Sequence, residues 1–156
     1  MKRNRIFGTA GARGFTNTEI TPEFALKIAA SYGIYLNKTQ RKDITVAIGY
    51  DTRYGAEMLA GICQSGLLSV GINVLNVRCI TSGGFSANLL KHNLAGGILI
   101  TGSHMPPDRI GIIIVQADGT YAPVEVTDKI EALYHNFDKR LNWVEPEEIG
   151  EISNAF

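Results

Sequence analysis

The chain has 156 residues, 45% hydrophobic and 19% charged, a balance that excludes a disordered segment and suffices for one domain with its own core. Lys+Arg and Asp+Glu stand at 15 each, so a formal net charge of zero gives no electrostatic case for nucleic acid or a membrane as partner. A small anionic ligand needs only a local positive patch and stays open.

In chain order, "FGTAGARG" (7–14) comes first: Gly8, Gly11 and Gly14 recur every three residues, with Thr9 and Arg13 between them. Such glycines let backbone N–H groups approach an anion, and an arginine adds a fixed charge with a bidentate fork. The alternative is a flexible N-terminal arm. The segment lacks the G-K-[ST] of a P-loop, and no strand precedes it as the dinucleotide fingerprint requires. "ITPEFALKIAASYGIYL" (20–36) reads as a helix, with Thr21 as N-cap, Pro22 in the first turn and Glu23 on the N-terminal dipole. Phe24, Ile28 and Leu36 share one face, with Ala25 and Ala29 beside them. "DITVAIGYD" (43–51) is β-branched and apolar, a strand buried on both faces. "GAEMLAGICQSGLLSVG" (55–71) is helical with Met58, Ile62 and Leu67 inward and Gly71 as its stop. "INVLNVRCI" (72–80) is the second strand, "SGGFSANLLKHN" (82–93) a short helix, and "GGILIT" (96–101) the third strand. "IGIIIVQ" (110–116) is the fourth strand, closed by the turn signal Asp118-Gly119, and "VTDKIEALYHNF" (126–137) the last helix. The tail, residues 141–156, is acidic, weakly patterned and peripheral.

The alternation of strands and helices implies right-handed crossovers and a three-layer α/β/α sandwich with a mixed, mostly parallel sheet. Strands three and four are joined by about ten residues with two prolines and no helix pattern, which suits an antiparallel hairpin with a long loop. Ligands bind such sheets at the carboxyl ends of the strands. Three polar segments gather there: "GYDTRYG" (49–55), "TSGG" (81–84) and "TGSHMPPDR" (101–109). In the first, Asp51 is placed to cap the next helix, and Arg53 either pairs with Asp51 or reaches a ligand.

The third segment carries the most information. Gly102 frees the backbone beside Ser103, and Met105-Pro106-Pro107 stiffens the loop behind it. Adjacent Ser103 and His104 point apart and do not suit a triad, and the order Gly-Ser-His-Met-Pro is not the hydrolase G-x-S-x-G elbow. A serine that carries a phosphoryl group fits better, given a firm loop, N–H donors and positive charge nearby. An ordered loop with no chemistry is the alternative. His92 and His135 fall at helix ends, and Trp143 reads as a packing anchor. Cys63 and Cys79 have no metal spacing and read as buried free thiols of a reducing cytoplasm. The basic N-terminus "MKRNRIFG" has no apolar core for secretion, and no apolar run is long enough to span a membrane.

Together and in this order, these segments resemble the α-D-phosphohexomutase superfamily, which includes phosphomannomutase and phosphoglucomutase, in the first of its four domains. "FGTAGARG" is similar to F-G-T-S-G-x-R-G, "IGYDTR" to G-x-D-x-R, and "GGILITGSHMPP" to G-G-x-x-[IL]-T-A-S-H-N-P. The opener "ITPE" and the closing "EEIGEI" also have counterparts, the latter near the hinge to a second domain. The resemblance implies the phosphoglucomutase first-domain fold over residues 1–156, with 141–156 at that hinge. It implies that Ser103 is the phosphoserine, which gives its phosphoryl group to a hexose phosphate and recovers the other phosphate once the bisphosphorylated sugar has turned round. Hexose 1,6-bisphosphate would be the activator, and the seryl phosphate would ligate Mg²⁺. His104 is the second expected catalytic residue; Thr9, Arg13, Thr101 and Arg109 form the expected substrate- and phosphate-binding set.

The chain also departs from the pattern. Gly102 stands for the usual alanine, Met105 for asparagine, and Ile110 and Ile113 for the asparagine and lysine of N-G-x-K, that lysine being an acid/base candidate. Arg109 is nearby, but a guanidinium barely gives up a proton. The D-G-D-G-D-R metal loop, the G-E-x-S-G-H sugar loop and a C-terminal phosphate loop do not occur. The expectation is therefore a split subunit or fragment, inactive alone, that completes its site with a partner chain or further domains. Its exposed apolar face near the strand ends or tail would favour self-association. The alternative is a non-catalytic module that binds a phosphosugar or a mutase.

Overall fold

The computed structural model describes residues 5–39, 42–138 and 142–156; the basic positions 1–4 and the first tail position, 141, lie outside the described residues. The apolar runs become strands β2 (Thr45–Tyr50), β3 (Asn73–Cys79), β4 (Gly96–Thr101) and β5 (Arg109–Gln116). Two short strands, β1 (Ala12–Phe15) and β6 (Ile152–Asn154), flank them in a six-stranded sheet of order β1-β5-β4-β2-β3-β6. β2 runs parallel to β3 and β4, and β6 parallel to β3, whereas β5 is antiparallel to β4 and β1. The fold is thus the expected α/β/α sandwich with a mixed sheet, and β4–β5 is the expected antiparallel hairpin.

Helices α1 (Pro22–Thr39), α2 (Ala56–Leu68) and α4 (Val124–His135) cover one face, where Ile28, Leu59, Leu67 and Ile130 pack on Val46, Ile48, Ile98, Ile100 and Ile112. Helix α3 (Ser82–Lys91) covers the other, setting Phe85 and Leu89 against Ala47, Leu99, Ile113 and Val115. Alternate residues of β4 and β5 therefore serve opposite cores, which is why both strands read as unbroken apolar runs. At the N-terminus, Arg5 pairs with Asp128 at 2.8 Å and the Ile6 amide donates to Glu131, holding the incoming chain to α4.

Several expectations need correction. Leu67 is buried as expected, but Met58 is 44% exposed and Ile62 only partly buried; there the inward stripe of α2 is one residue on, at Leu59 and Cys63. Phe24 is only partly buried and meets the Tyr134 ring at 5.6 Å. Cys63 is buried but Cys79 is exposed, because β3 ends there at the rim of the sheet. The tail supplies the edge strand β6, which the residue pattern did not announce. Its Ile152 is exposed, as are Ile149 and Phe156 close by, so the tail does carry exposed apolar side chains. Among the described residues, no helix is long and apolar enough to cross a membrane.

Candidate functional site

Because β2, β3 and β4 are parallel, their carboxyl ends share one rim, and β5 starts there. The segment 101–109 leaves β4 at this rim and folds through two turns, in which Met105 N–H donates to Gly102 O at 2.9 Å and Arg109 N–H to Pro106 O at 3.0 Å. Ser103 stands on the first turn, exposed, with φ +52°. A left-handed conformation is uncommon for a residue other than glycine and costs on the order of 1 kcal/mol, so the surroundings must impose it.

Asp51, just beyond β2, is the main support. Its Oδ2 accepts from Thr101 Oγ1 at 2.8 Å and from the Gly102 amide at 2.9 Å, and its Oδ1 from the Arg53 amide at 2.9 Å. Thr101 Oγ1 in turn accepts the Ser103 amide at 3.0 Å. Asp51 therefore does not cap α2, whose N-terminal cap is Gly55 without a side-chain bond. Arg53 lies 3.7 Å from Asp51 Oδ2 and spends its guanidinium on the loop. Nη2 donates to Ser103 O at 2.8 Å and Met105 O at 2.6 Å, and Nη1 to Arg109 O at 3.1 Å and to Pro106 O. The sequence placed Asp51 and Arg53 at this rim, as a helix cap and as an ion pair or ligand contact, but did not give them the support of the serine loop; the Gly-x-Asp-x-Arg spacing at a strand end was the signal for it.

Ser103 Oγ lies 3.2 Å from His104 Nδ1. The expectation that these neighbours diverge fails, because the left-handed backbone at Ser103 turns its side chain toward the ring. The contact joins a hydroxyl to a group able to take its proton, with nothing orienting the far side of the imidazole among the described residues. The Gly102 amide is engaged by Asp51, and those of Ser103 and Met105 by Thr101 Oγ1 and Gly102 O, so they are not the free donors the residue pattern suggested.

The N-terminal arm reaches the site through register. Arg13 of β1 is opposite Gly111 of β5, and Gly111 is opposite Thr101 of β4, so the three form one row across the sheet. A Cβ on Gly111 would lie 2.9 Å from Arg13 Cγ and 3.2 Å from Thr101 O; the bare glycine lets the arginine cross the sheet there. Arg13 is exposed, its Nε donates to Ala10 O at 3.1 Å, and no carboxylate pairs with it among the described residues. Thr9 sits exposed in the turn closed by Gly8 N–H to Gly11 O, with no bond to the serine loop. The guanidinium of Arg109 lies 4.2 Å over the Phe15 ring, not on Ser103. Thus Thr101, Ser103 and His104 are brought together by direct bonds, Arg13 joins them by register, and Thr9 and the Arg109 head group stay apart. Thr81 caps α3 through the Gly84 amide at 3.2 Å, which accounts for "TSGG".

Ile113 is 1% exposed, opposite Leu99 in the α3-side core, so its position offers no titratable group. Both oxygens of Asp51 are already occupied by donors, and among the described residues no three His, Cys, Asp or Glu side chains converge to hold a metal. The rim by itself therefore does not fit Mg²⁺.

Comparison with known proteins matches residues 4–141 to the family described as phosphoglucomutase/phosphomannomutase, alpha/beta/alpha domain I. A phosphoglucomutase/phosphomannomutase of Thermococcus kodakarensis is 39% identical over 95% of this chain, which covers 32% of that relative. A phosphoglucosamine/phosphogalactosamine mutase of Sulfurisphaera tokodaii is 35% identical over 90% of this chain and 30% of its own length. The chain thus spans about a third of the curated relatives it matches. Among solved structures, a putative phosphomannomutase from Thermus thermophilus superimposes with a TM-score of 0.78 at 25% identity, over 99% of this chain and 34% of that one.

Proposed function

The chain belongs to the phosphoglucomutase/phosphomannomutase family, as its α/β/α domain I, and we propose that Ser103 is the residue that carries the phosphoryl group in a hexose-phosphate mutase reaction. One observation carries this reading: Ser103 stands exposed on a strained turn at the carboxyl rim of the sheet, its Oγ 3.2 Å from His104 Nδ1. Ser103 Oγ attacks the phosphorus of a hexose bisphosphate, and the bond from phosphorus to the sugar oxygen breaks. The hydroxyl proton passes to His104 Nδ1, and the departing sugar oxygen takes up a proton. In turnover, the phosphoryl group of Ser103 passes to the free hydroxyl of a hexose monophosphate, the bisphosphate so formed turns round, and Ser103 Oγ takes its other phosphate, which leaves the isomeric sugar phosphate. Arg13 is the cation available to the phosphate. Magnesium, when bound through the seryl phosphate, would neutralise charge on the transferring group; its carboxylates and the sugar-reading loop would come from other domains or a partner chain. Turnover accordingly requires those parts, and the relatives' names point to glucose, mannose or amino-sugar phosphates as the substrate class.

Incubation with glucose 1,6-bisphosphate, Mg²⁺ and the metal- and sugar-binding domains, followed by intact-mass measurement, should show one added phosphoryl group on this chain that Ser103→Ala abolishes. The same mixture should give mutase turnover on a hexose monophosphate. An adduct that survives in the Ala variant would sink the assignment. The buried Ile113 in the acid/base position favours a second reading, a non-catalytic phosphosugar-binding module. Binding of glucose 1-phosphate with no adduct under any of these conditions would select it.

A further inference from the structure

We propose that Arg53 is a positioning residue for Ser103, and that Gly102 is glycine so that the Arg53 guanidinium can cross the loop peptide. This rests on Ser103 being the phosphoryl acceptor. Four backbone carbonyls, of Ser103, Met105, Pro106 and Arg109, receive the guanidinium. They span both turns, whose residues 102–108 have no helix or ladder to hold them, and reach the first residue of β5. A planar group with five donors in a fixed fork can serve four acceptors at once, whereas a lysine ammonium cannot. The Ser103 peptide is thereby held on both sides, its N–H by Thr101 Oγ1 and its C=O by Arg53 Nη2. This double hold accounts for the left-handed φ of +52° that faces Oγ toward His104.

Gly102 supplies the space. Its φ lies outside the left-handed range, so the backbone there does not demand glycine. A Cβ at this position would instead overlap Nε, Cζ and Cδ of Arg53. The clashing atoms belong to the end of a flexible side chain, so Gly102→Ala should displace the guanidinium and leave the fold standing. In this chain the path of the guanidinium is over a bare peptide. Arg53 does not touch Oγ, and its charge is balanced by Asp51, so its contribution is geometric.

The test compares the wild-type chain with Arg53→Ala, Arg53→Lys, Gly102→Ala and the Arg53→Ala/Gly102→Ala double variant. Phosphorylation of Ser103 by glucose 1,6-bisphosphate with Mg²⁺, in the presence of the metal- and sugar-binding domains, is followed over a range of donor concentrations, alongside protease nicking of residues 102–109 and the melting temperature. Loss of about 1 Å in placement costs roughly 100-fold in rate, so Arg53→Ala and Arg53→Lys should lose about that much at saturating donor, with half-saturation changed little. Free guanidinium ion should recover part of the Arg53→Ala rate. Gly102→Ala should open the loop to protease as Arg53→Ala does, and the double variant should be no worse than Arg53→Ala alone, because both act through one contact. Wild-type rate and loop protection in Arg53→Ala would overturn the proposal, as would full activity in Arg53→Lys. Strictly additive losses would overturn the role of Gly102. If the wild-type chain takes up no phosphoryl group, the reading of Ser103 fails, and loop protection alone still decides whether Arg53 holds it.

Discussion

Ile113 sits in β5 with its side chain in the core under α3, and the backbone of Gly11 lies over it: a Cβ on Gly11 would come within 2.9 Å of Ile113 Cγ1. Lysine at this position would place an ammonium among Phe85, Leu89 and Leu99 with no partner. Leaving a buried charge unpaired costs about 3–5 kcal/mol, and burial drives a lysine toward its neutral form. Ile113→Lys should therefore lower the urea midpoint by about that free energy, whereas Ile113→Val should cost about 1 kcal/mol. Near-wild-type stability of the lysine variant, with normal titration, would show that the side chain escapes to the rim. The same residue marks what the residue pattern made plain and what it did not. The Gly-Ser-His-Met-Pro-Pro knot between two core strands drew attention to Ser103, with an ordered loop without chemistry left open, whereas Thr101 and His104 entered the expected site through the family resemblance. The roles of Asp51 and Arg53 were not legible, because their partners are about fifty residues away and are mostly backbone carbonyls and amides, which leave no trace in side-chain chemistry. The Ser103–His104 contact was misjudged since a left-handed serine cannot be foreseen from its identity.

Helices α1 and α2 pack so closely that their glycines have opposite meanings. Gly66 faces α1, where an added Cβ would lie 2.6 Å from Leu26 O and 3.2 Å from Ala29 Cβ. Gly61 is on the solvent side, with nothing within 4 Å of such a Cβ. Alanine in an exposed helix stabilises by about 0.5–1 kcal/mol over glycine, so Gly61→Ala should raise the urea midpoint. At Gly66 the same gain is outweighed by overpacking of about 1–3 kcal/mol, because the obstacle is backbone of a buried helix and cannot give. Gly66→Ala should lower the midpoint; a rise there would mean the two helices can part at little cost. The long elements were legible for a related reason. Strands buried on both faces and amphipathic helices bury enough apolar surface to imprint a period on the residues. Strand β1 has four residues, one of them glycine, and the three of β6 are all exposed, so neither bears a pattern, and only pairing to β5 and β3 makes them strands. In α2 Leu67 faces inward as expected, but the earlier turns bury Leu59 and Cys63 with small Ala56 and Ala60 beside them, one residue on from the expected Met58 and Ile62, which leaves Met58 outside.

At the scale of the whole molecule, two acidic groups are buried so that they ionise only when the chain opens. Burial pushes the Cys63 thiol up from 9.0 to about 12; it is fully buried and directed at Ala25 O, 3.7 Å away. Burial first, then the neighbouring Tyr35, holds the Tyr32 hydroxyl well above the ordinary phenol range, against a smaller opposing effect of a Gly97 backbone hydrogen bond. Below pH 9 both groups are protonated in the folded and the unfolded chain, so neither makes stability depend on pH. As pH rises through 9.0 the unfolded Cys63 loses its proton and the folded one keeps it; Tyr32 behaves alike from 10.0 upward. The unfolded state then binds fewer protons, and stability falls with pH by up to about 1.4 kcal/mol per pH unit for each group. The urea midpoint should hold steady up to about pH 8.5, decline above 9 and decline more steeply above 10. Cys63→Ala should be less stable at neutral pH because of its small cavity, yet its decline should begin about one pH unit later, leaving Tyr32 as the cause. Tyrosinate absorbance should rise for Tyr32 together with unfolding and not before it. A midpoint that stays flat to pH about 10.5, or an unchanged onset in Cys63→Ala, would show that this closely packed core admits hydroxide or relaxes around a thiolate without opening.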